Sequence, residues 1–169
     1  MVALQNNSKN GKYGAIWLGA FDEQTGALDW QRLVHDAGQQ LTYATAPLID
    51  SLGDVYLGFG SSVPTCSDPY DCSVFLHEQS ILKFASADGA LVWRFDNKDY
   101  DHLTSEPGQA ITPLEFSILG DDVVVAGPFV NDSKNNDVIK LSGSNGTAVW
   151  KSAVFGGNEF TYIDVAQNN

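Results

Sequence analysis

The feature that most restricts how this chain can fold is a segment that occurs three times. Residues 20–30, 83–93 and 140–150 each place a glycine four positions before a tryptophan: Gly26 and Trp30, Gly89 and Trp93, Gly146 and Trp150. The glycines are 63 and then 57 residues apart. Self-similarity of this kind marks a repeat architecture, in which a unit too small to bury its own faces stacks on its neighbours. In each segment the glycine follows turn-forming residues (Gln24 and Thr25, Ala87 and Asp88, Ser144 and Asn145), which predicts a hairpin with positive φ at the glycine. The flanks, 15–21 with 27–33, 80–84 with 90–95 and 137–141 with 147–152, are rich in β-branched and aromatic residues and read as strands.

A second hairpin precedes two of these segments. Residues 44–50, a Gly53-Asp54 turn and residues 55–59 match residues 110–116, a Gly120-Asp121 turn and residues 122–126, with Pro47 and Pro113 falling 66 residues apart. Each full unit is therefore four short antiparallel strands, A to D, and no stretch sustains the 3.6-residue period of a helix. Such units stack radially as blades, so the expected fold is all-β and a partial β-propeller. Its parts are strands C and D of a first blade at 14–34, complete blades at 44–95 and 110–152, and strand A of a further blade at 158–165. A propeller closes with at least about four blades. The expectation is thus a segment of a longer chain whose remaining blades are its first partners, and which aggregates or self-associates when alone because its edges and one blade face are open.

Composition narrows the partners. The chain has 169 residues, one domain's worth, with 9 Lys and Arg against 21 Asp and Glu, a formal charge of −12. That balance argues against nucleic acid and anionic membranes. No apolar run approaches the ~18 residues that span a bilayer. Residues 1–7 show neither the basic nor the apolar region of a signal peptide.

The first segment, with Ala20, Asp22, Gly26 and Trp30, fits the pattern Ala-x-Asp-x-x-x-Gly-x-x-x-Trp and resembles the tryptophan-docking motif of the PQQ-like (pyrroloquinoline quinone) repeat family. Quinoprotein alcohol dehydrogenases and many non-enzymatic propellers share that repeat. The other two segments keep Gly89 with Trp93 and Gly146 with Trp150; Lys83 and Lys140 stand in place of the alanine, and Ala85 and Ser142 in place of the aspartate. The resemblance spans residues 14–165 and implies that the tryptophans pack between neighbouring blades, which suits a large flat side chain filling a seam. It implies two functions. One is a non-catalytic module binding a protein or small ligand; the other is part of an alcohol dehydrogenase holding PQQ and calcium. The absence of adjacent cysteines favours the first.

The chain's longer connections, 35–43, 96–109 and 60–79, gather on one predicted face, where a rigid scaffold carries a binding surface; drift of tolerant loops is the alternative. The last holds Cys66 and Cys72, which enclose five residues around a proline. They read as a disulfide in a secreted, periplasmic or secretory-pathway protein, with free thiols the other possibility. Asp68, Asp71, Asp99, Asp101, Glu106, Asn131, Asp132 and Asp137 offer oxygen atoms to calcium but match no calcium-loop spacing, so solvated surface acid is the default reading. His35, His77 and His102 lie far apart in sequence and form no ligand pair; Asp101 and His102 have no nucleophile beside them. Sequons occur at Asn6, Asn131 and Asn145. No catalytic constellation emerges.

Overall fold

The computed structural model describes residues 2–7, 14–35, 40–65, 75–97, 102–104, 115–127 and 135–155. Every regular element among them is a strand. The first sheet contains β1 (Val2–Asn7), β2 (Gly14–Phe21) and β3 (Leu28–His35), in that order. The second has the path β4 (Gln40–Ala44), β6 (Val55–Pro64), β7 (Phe75–Phe84), β8 (Leu91–Asp96); β5 (Leu48–Ile49) also pairs β6, and β9 (His102–Thr104) pairs β7. The third runs β10 (Glu115–Leu119), β11 (Asp122–Gly127), β12 (Asn135–Leu141), β13 (Ala148–Phe155). All pairings are antiparallel between neighbours in space, and none of the sheets closes on itself. No described helix is long and apolar enough to cross a membrane.

Alternation along the strands decides how the sheets stack. On β6, Val55, Leu57 and Phe59 join Leu82 and Phe84 of β7 in one apolar cluster with Ile16, Leu18, Ala20 and Trp30 of the first sheet. Tyr56 points the other way, with Ile81 and Trp93, into a second cluster with Val123, Val125, Ile139 and Leu141 of the third sheet. A period of two thus gives the middle sheet two buried faces and makes it the filling between its neighbours. Gly58 marks the closest approach: a Cβ there would stand 3.0 Å from Phe116 Cε2 of the third sheet.

Several elements differ from the sequence expectation. The first sheet has a third strand, β1, registered from Val2 opposite Gly19 to Asn7 opposite Gly14. Much of the 60–79 connection is sheet, because β6 and β7 stay paired from Val55 opposite Phe84 out to Pro64 opposite Phe75. Parts of 35–43 and 96–109 are the strands β4 and β9. The third sheet's first strand is Glu115–Leu119, not the segment around Pro113, which lies outside the described residues, as does 158–165.

The C-to-D connections are six-residue loops rather than tight two-residue turns. Each contains one turn of helix-like backbone: the Gly26 N–H donates to Asp22 O at 2.9 Å and Asp22 N to Ala27 O at 2.8 Å. The same pair of bonds closes 85–90 and 142–147. The chain leaves each loop through its glycine at φ 69°, 68° and 71°, a conformation open to glycine at little cost. The register also slips in all three hairpins, between Ala20 and Phe21, Lys83 and Phe84, and Lys140 and Leu141. These bulges insert one residue just before each tryptophan and re-aim it.

Candidate functional site

The tryptophans and loop glycines come together across the sheet-to-sheet seams. Trp30 lies over the loop of the second sheet: its indole N–H donates to Ser86 O at 2.9 Å, and a Cβ on Gly89 would stand 2.7 Å from its Cδ2. Trp93 repeats this one sheet further on, donating to Gly143 O at 2.9 Å with Gly146 beneath its ring, where a Cβ would meet Cε3 at 2.6 Å. Both indoles are 7% exposed. Each glycine is therefore needed twice, for its φ and for the space its missing side chain leaves. Trp150 is 43% exposed, and a Cβ on Gly26 would meet nothing within 4 Å. The outer members of the series make no such contact.

Aspartates hold the acceptor loops in shape. Asp54 Oδ1 accepts from Ser86 N at 2.9 Å, and Asp122 Oδ1 from Gly143 N at 3.0 Å, so the strand B aspartate orients the residue whose carbonyl receives the indole. In the first loop Asp22 Oδ1 accepts from Gln24 N, Thr25 N and Thr25 Oγ1 at 3.1, 2.7 and 2.6 Å. The bonds from Thr25 hold its carboxyl below the usual aspartate range. Ala20 is buried at the first seam.

The seam between the second and third sheets carries a charged cluster that the sequence reading registered only as a departure from the repeat pattern. Lys83 Nζ lies 3.0 Å from Asp50 Oδ2, 3.1 Å from Asp54 Oδ2 and 3.1 Å from Gly143 O. Its three N–H groups thus have three acceptors. The ammonium also sits 5.1 Å from the centre of the Tyr56 ring, within cation–π range. Burial works against its charge, but the contacts to Tyr56, Asp50 and Asp54 outweigh burial and hold its pKa above that of an ordinary lysine. Burial pushes the Asp50 carboxyl up, and the bonds from Lys83, Asp54 N and Leu52 N pull it further down, to a net value below the usual range. Tyr56, its hydroxyl 3.3 Å from Asp50 Oδ2 and 3.2 Å from Asp121 O, is raised chiefly by burial.

A lysine beside a tyrosine and two carboxylates resembles acid–base machinery, but the protonation states oppose that use. A saturated ammonium has no lone pair for nucleophilic attack, and a neutral, buried phenol is a poor base near neutral pH. The cluster is a polar staple between sheets. Spacing could not have revealed it, because Asp54 precedes Lys83 by 29 residues whereas Asp122 precedes its counterpart Lys140 by 18. The shared signal is cross-strand register.

Most residues expected on the long-connection face lie outside the described residues: Cys66, Cys72, Asp68, Asp71, Asp99, Asp101, Glu106, Asn131 and Asp132. Asp137 is buried rather than solvated, with Oδ2 3.1 Å from Lys151 Nζ. His77 and His102, distant in sequence, are opposite one another in the β7–β9 register. His35 ends β3, opposite Ile16. No group of three or more metal-ligating residues occurs among the described residues. Asn145 is exposed and accepts from Thr147 N and Oγ1; Asn6 is in β1.

The end of the middle sheet remote from the loops holds polar groups of a different kind. Gln79 and Ser61 are each 1% exposed. Gln79 Oε1 accepts from Asn97 Nδ2 at 3.0 Å, but Gln79 Nε2 and Ser61 Oγ have no hydrogen-bond partner among the described residues. No known family model and no curated protein matches this chain.

Proposed function

We propose that the three sheets are blades of a PQQ-like repeat β-propeller, and that the chain is a non-catalytic module binding a protein or small ligand at the end where its long connections gather. The remaining blades belong to a longer chain. Two similar seams with the same indole-to-carbonyl bond support the blade reading. The observation that carries the binding reading is the pair of buried, unpartnered atoms, Ser61 Oγ and Gln79 Nε2, in the half of the long β6–β7 hairpin nearer that end. Buried polar atoms left unpaired cost about 1–3 kcal/mol each and call for an explanation, and a ligand group is one.

Ser61→Ala tests this. A hydroxyl retained for binding is replaced with no loss of stability, or with a small gain, in urea unfolding without ligand. A loss above about 1 kcal/mol means that the hydroxyl supports the fold and removes the support for binding. Titration with PQQ and calcium, followed by cofactor absorbance and dye reduction with alcohols, separates the enzymatic alternative. The binding module takes up no quinone; retention with turnover makes the chain part of an alcohol dehydrogenase.

A further inference from the structure

We infer that the two outer faces of this chain are halves of one interface, and that a second copy docks head to tail with Trp150 over the Gly26 loop. The inference rests on the seam geometry and is independent of what the long-connection end binds. The contact has already been built twice inside the molecule, from Trp30 to the Gly89 loop and from Trp93 to the Gly146 loop, with the same bond length to the carbonyl three residues before each glycine. The series leaves one donor and one acceptor over. Trp150 follows the same register slip as its two counterparts and is 43% exposed. The Gly26 loop has the same closing hydrogen bonds and the same φ as the two occupied loops, with the space over its glycine empty. The equivalent acceptor in it is the carbonyl of Glu23.

The surroundings of each half are complementary. On the acceptor side Trp17 and Phe21 are 39% and 40% exposed, large apolar side chains on the first sheet's outer face. On the donor side Lys140 occupies the register position opposite Trp150 that Lys83 holds opposite Trp93. Lys83 reaches the next loop's carbonyl; Lys140, bound to Asp122 at 2.7 Å, is placed to reach the Glu23 carbonyl beside that residue's own negative charge. Donor and acceptor lie on opposite faces, so the contact is heterologous: it propagates into a ring or a filament rather than ending at a symmetric dimer.

Sedimentation velocity over a wide concentration range tests this with two variants of the full chain. Wild type forms dimers and larger species as concentration rises. Trp150→Ala removes the donor and weakens association by roughly thirtyfold or more, as expected for a buried interface tryptophan. Gly26→Asn fills the acceptor with a residue that tolerates the left-handed conformation and has a similar effect. Mixed together, the two variants retain one good donor and one good acceptor, and give a dimer and nothing larger. Should Gly26→Asn fail to fold by circular dichroism, Glu23→Lys supplies the blocked acceptor by facing Lys140 with a like charge. A wild type that stays monomeric overturns the inference and leaves the end faces to further units of a longer chain. Trp150→Ala associating as wild type does, or a mixture that stays monomeric or grows beyond a dimer, overturns it equally.

Discussion

At the scale of single residues, the three loop glycines share a sequence context and a backbone conformation but not an environment. Gly26→Ala and Gly89→Ala both force a side chain into the left-handed region, at about 1–2 kcal/mol. Only at Gly89 does the new Cβ also collide with an indole, and overpacking of that kind adds roughly 1–3 kcal/mol. Urea unfolding of both variants, in a Trp150→Ala background that keeps Gly26 uncovered, should show the larger loss at Gly89. Equal losses mean that the tryptophan does not rest on the loop. Gly26, Gly89 and Gly146 were legible as turn formers because φ preference is a local property. That two of them are also floors for a ring was not, since the ring arrives from Trp30 or Trp93, more than fifty residues away in sequence.

At the scale of elements, the strand B to strand C pairing sets a charged link in two sheets at different depths. Lys83 and Asp50 have side chains 6% and 1% exposed, whereas Lys140 and Asp122 stand at 21% and 28%. Removing one partner of a buried pair leaves an uncompensated charge, so Lys83→Met should cost about 3–5 kcal/mol. Lys140→Met should cost no more than about 1 kcal/mol, as for pairs in contact with water. Thermal unfolding of the two variants side by side checks the ranking, and similar losses would remove burial as the cause. The same scale explains why the 60–79 connection reads as a loop in sequence. Gly60, Ser61, Ser62 and Pro64 are poor strand formers locally. The extended hairpin register pairs them with 75–79 regardless, and that pairing is a non-local choice.

At the scale of the whole molecule, the seam ties stability to pH. Asp50 and Asp122 are held below the usual carboxylate range. Their contribution is present above the unfolded aspartate pKa of about 4 and is lost as pH falls through their lower folded values. Lys83 is shifted upward, so its contribution is complete below the unfolded lysine value of about 10.4 and is lost as pH rises through the higher folded value. The seam should therefore give a plateau between roughly pH 4 and pH 10, falling on both sides. Acid also relieves the repulsion of a chain carrying −12 charges. The difference between wild type and Lys83→Met therefore reads the seam more cleanly than either curve alone. Melting temperature against pH should show that difference shrinking in acid; a constant difference means that Lys83 is not coupled to the carboxylates.

What the sequence by itself determined is the part carried by short-range preference: strands by their β-branched and aromatic runs, loops by glycine and aspartate, and a repeat by the recurrence of both. From these alone the all-β class and the stacking of small units follow. The tertiary structure decided which units meet and what each face meets. Burial and partnership belong to pairs of residues far apart along the chain, so Lys83 changes from an exception in a pattern to the centre of a seam, and three similar tryptophans become two covered and one exposed. No residue's neighbours in sequence encode that difference, because it is set by whether another sheet lies alongside.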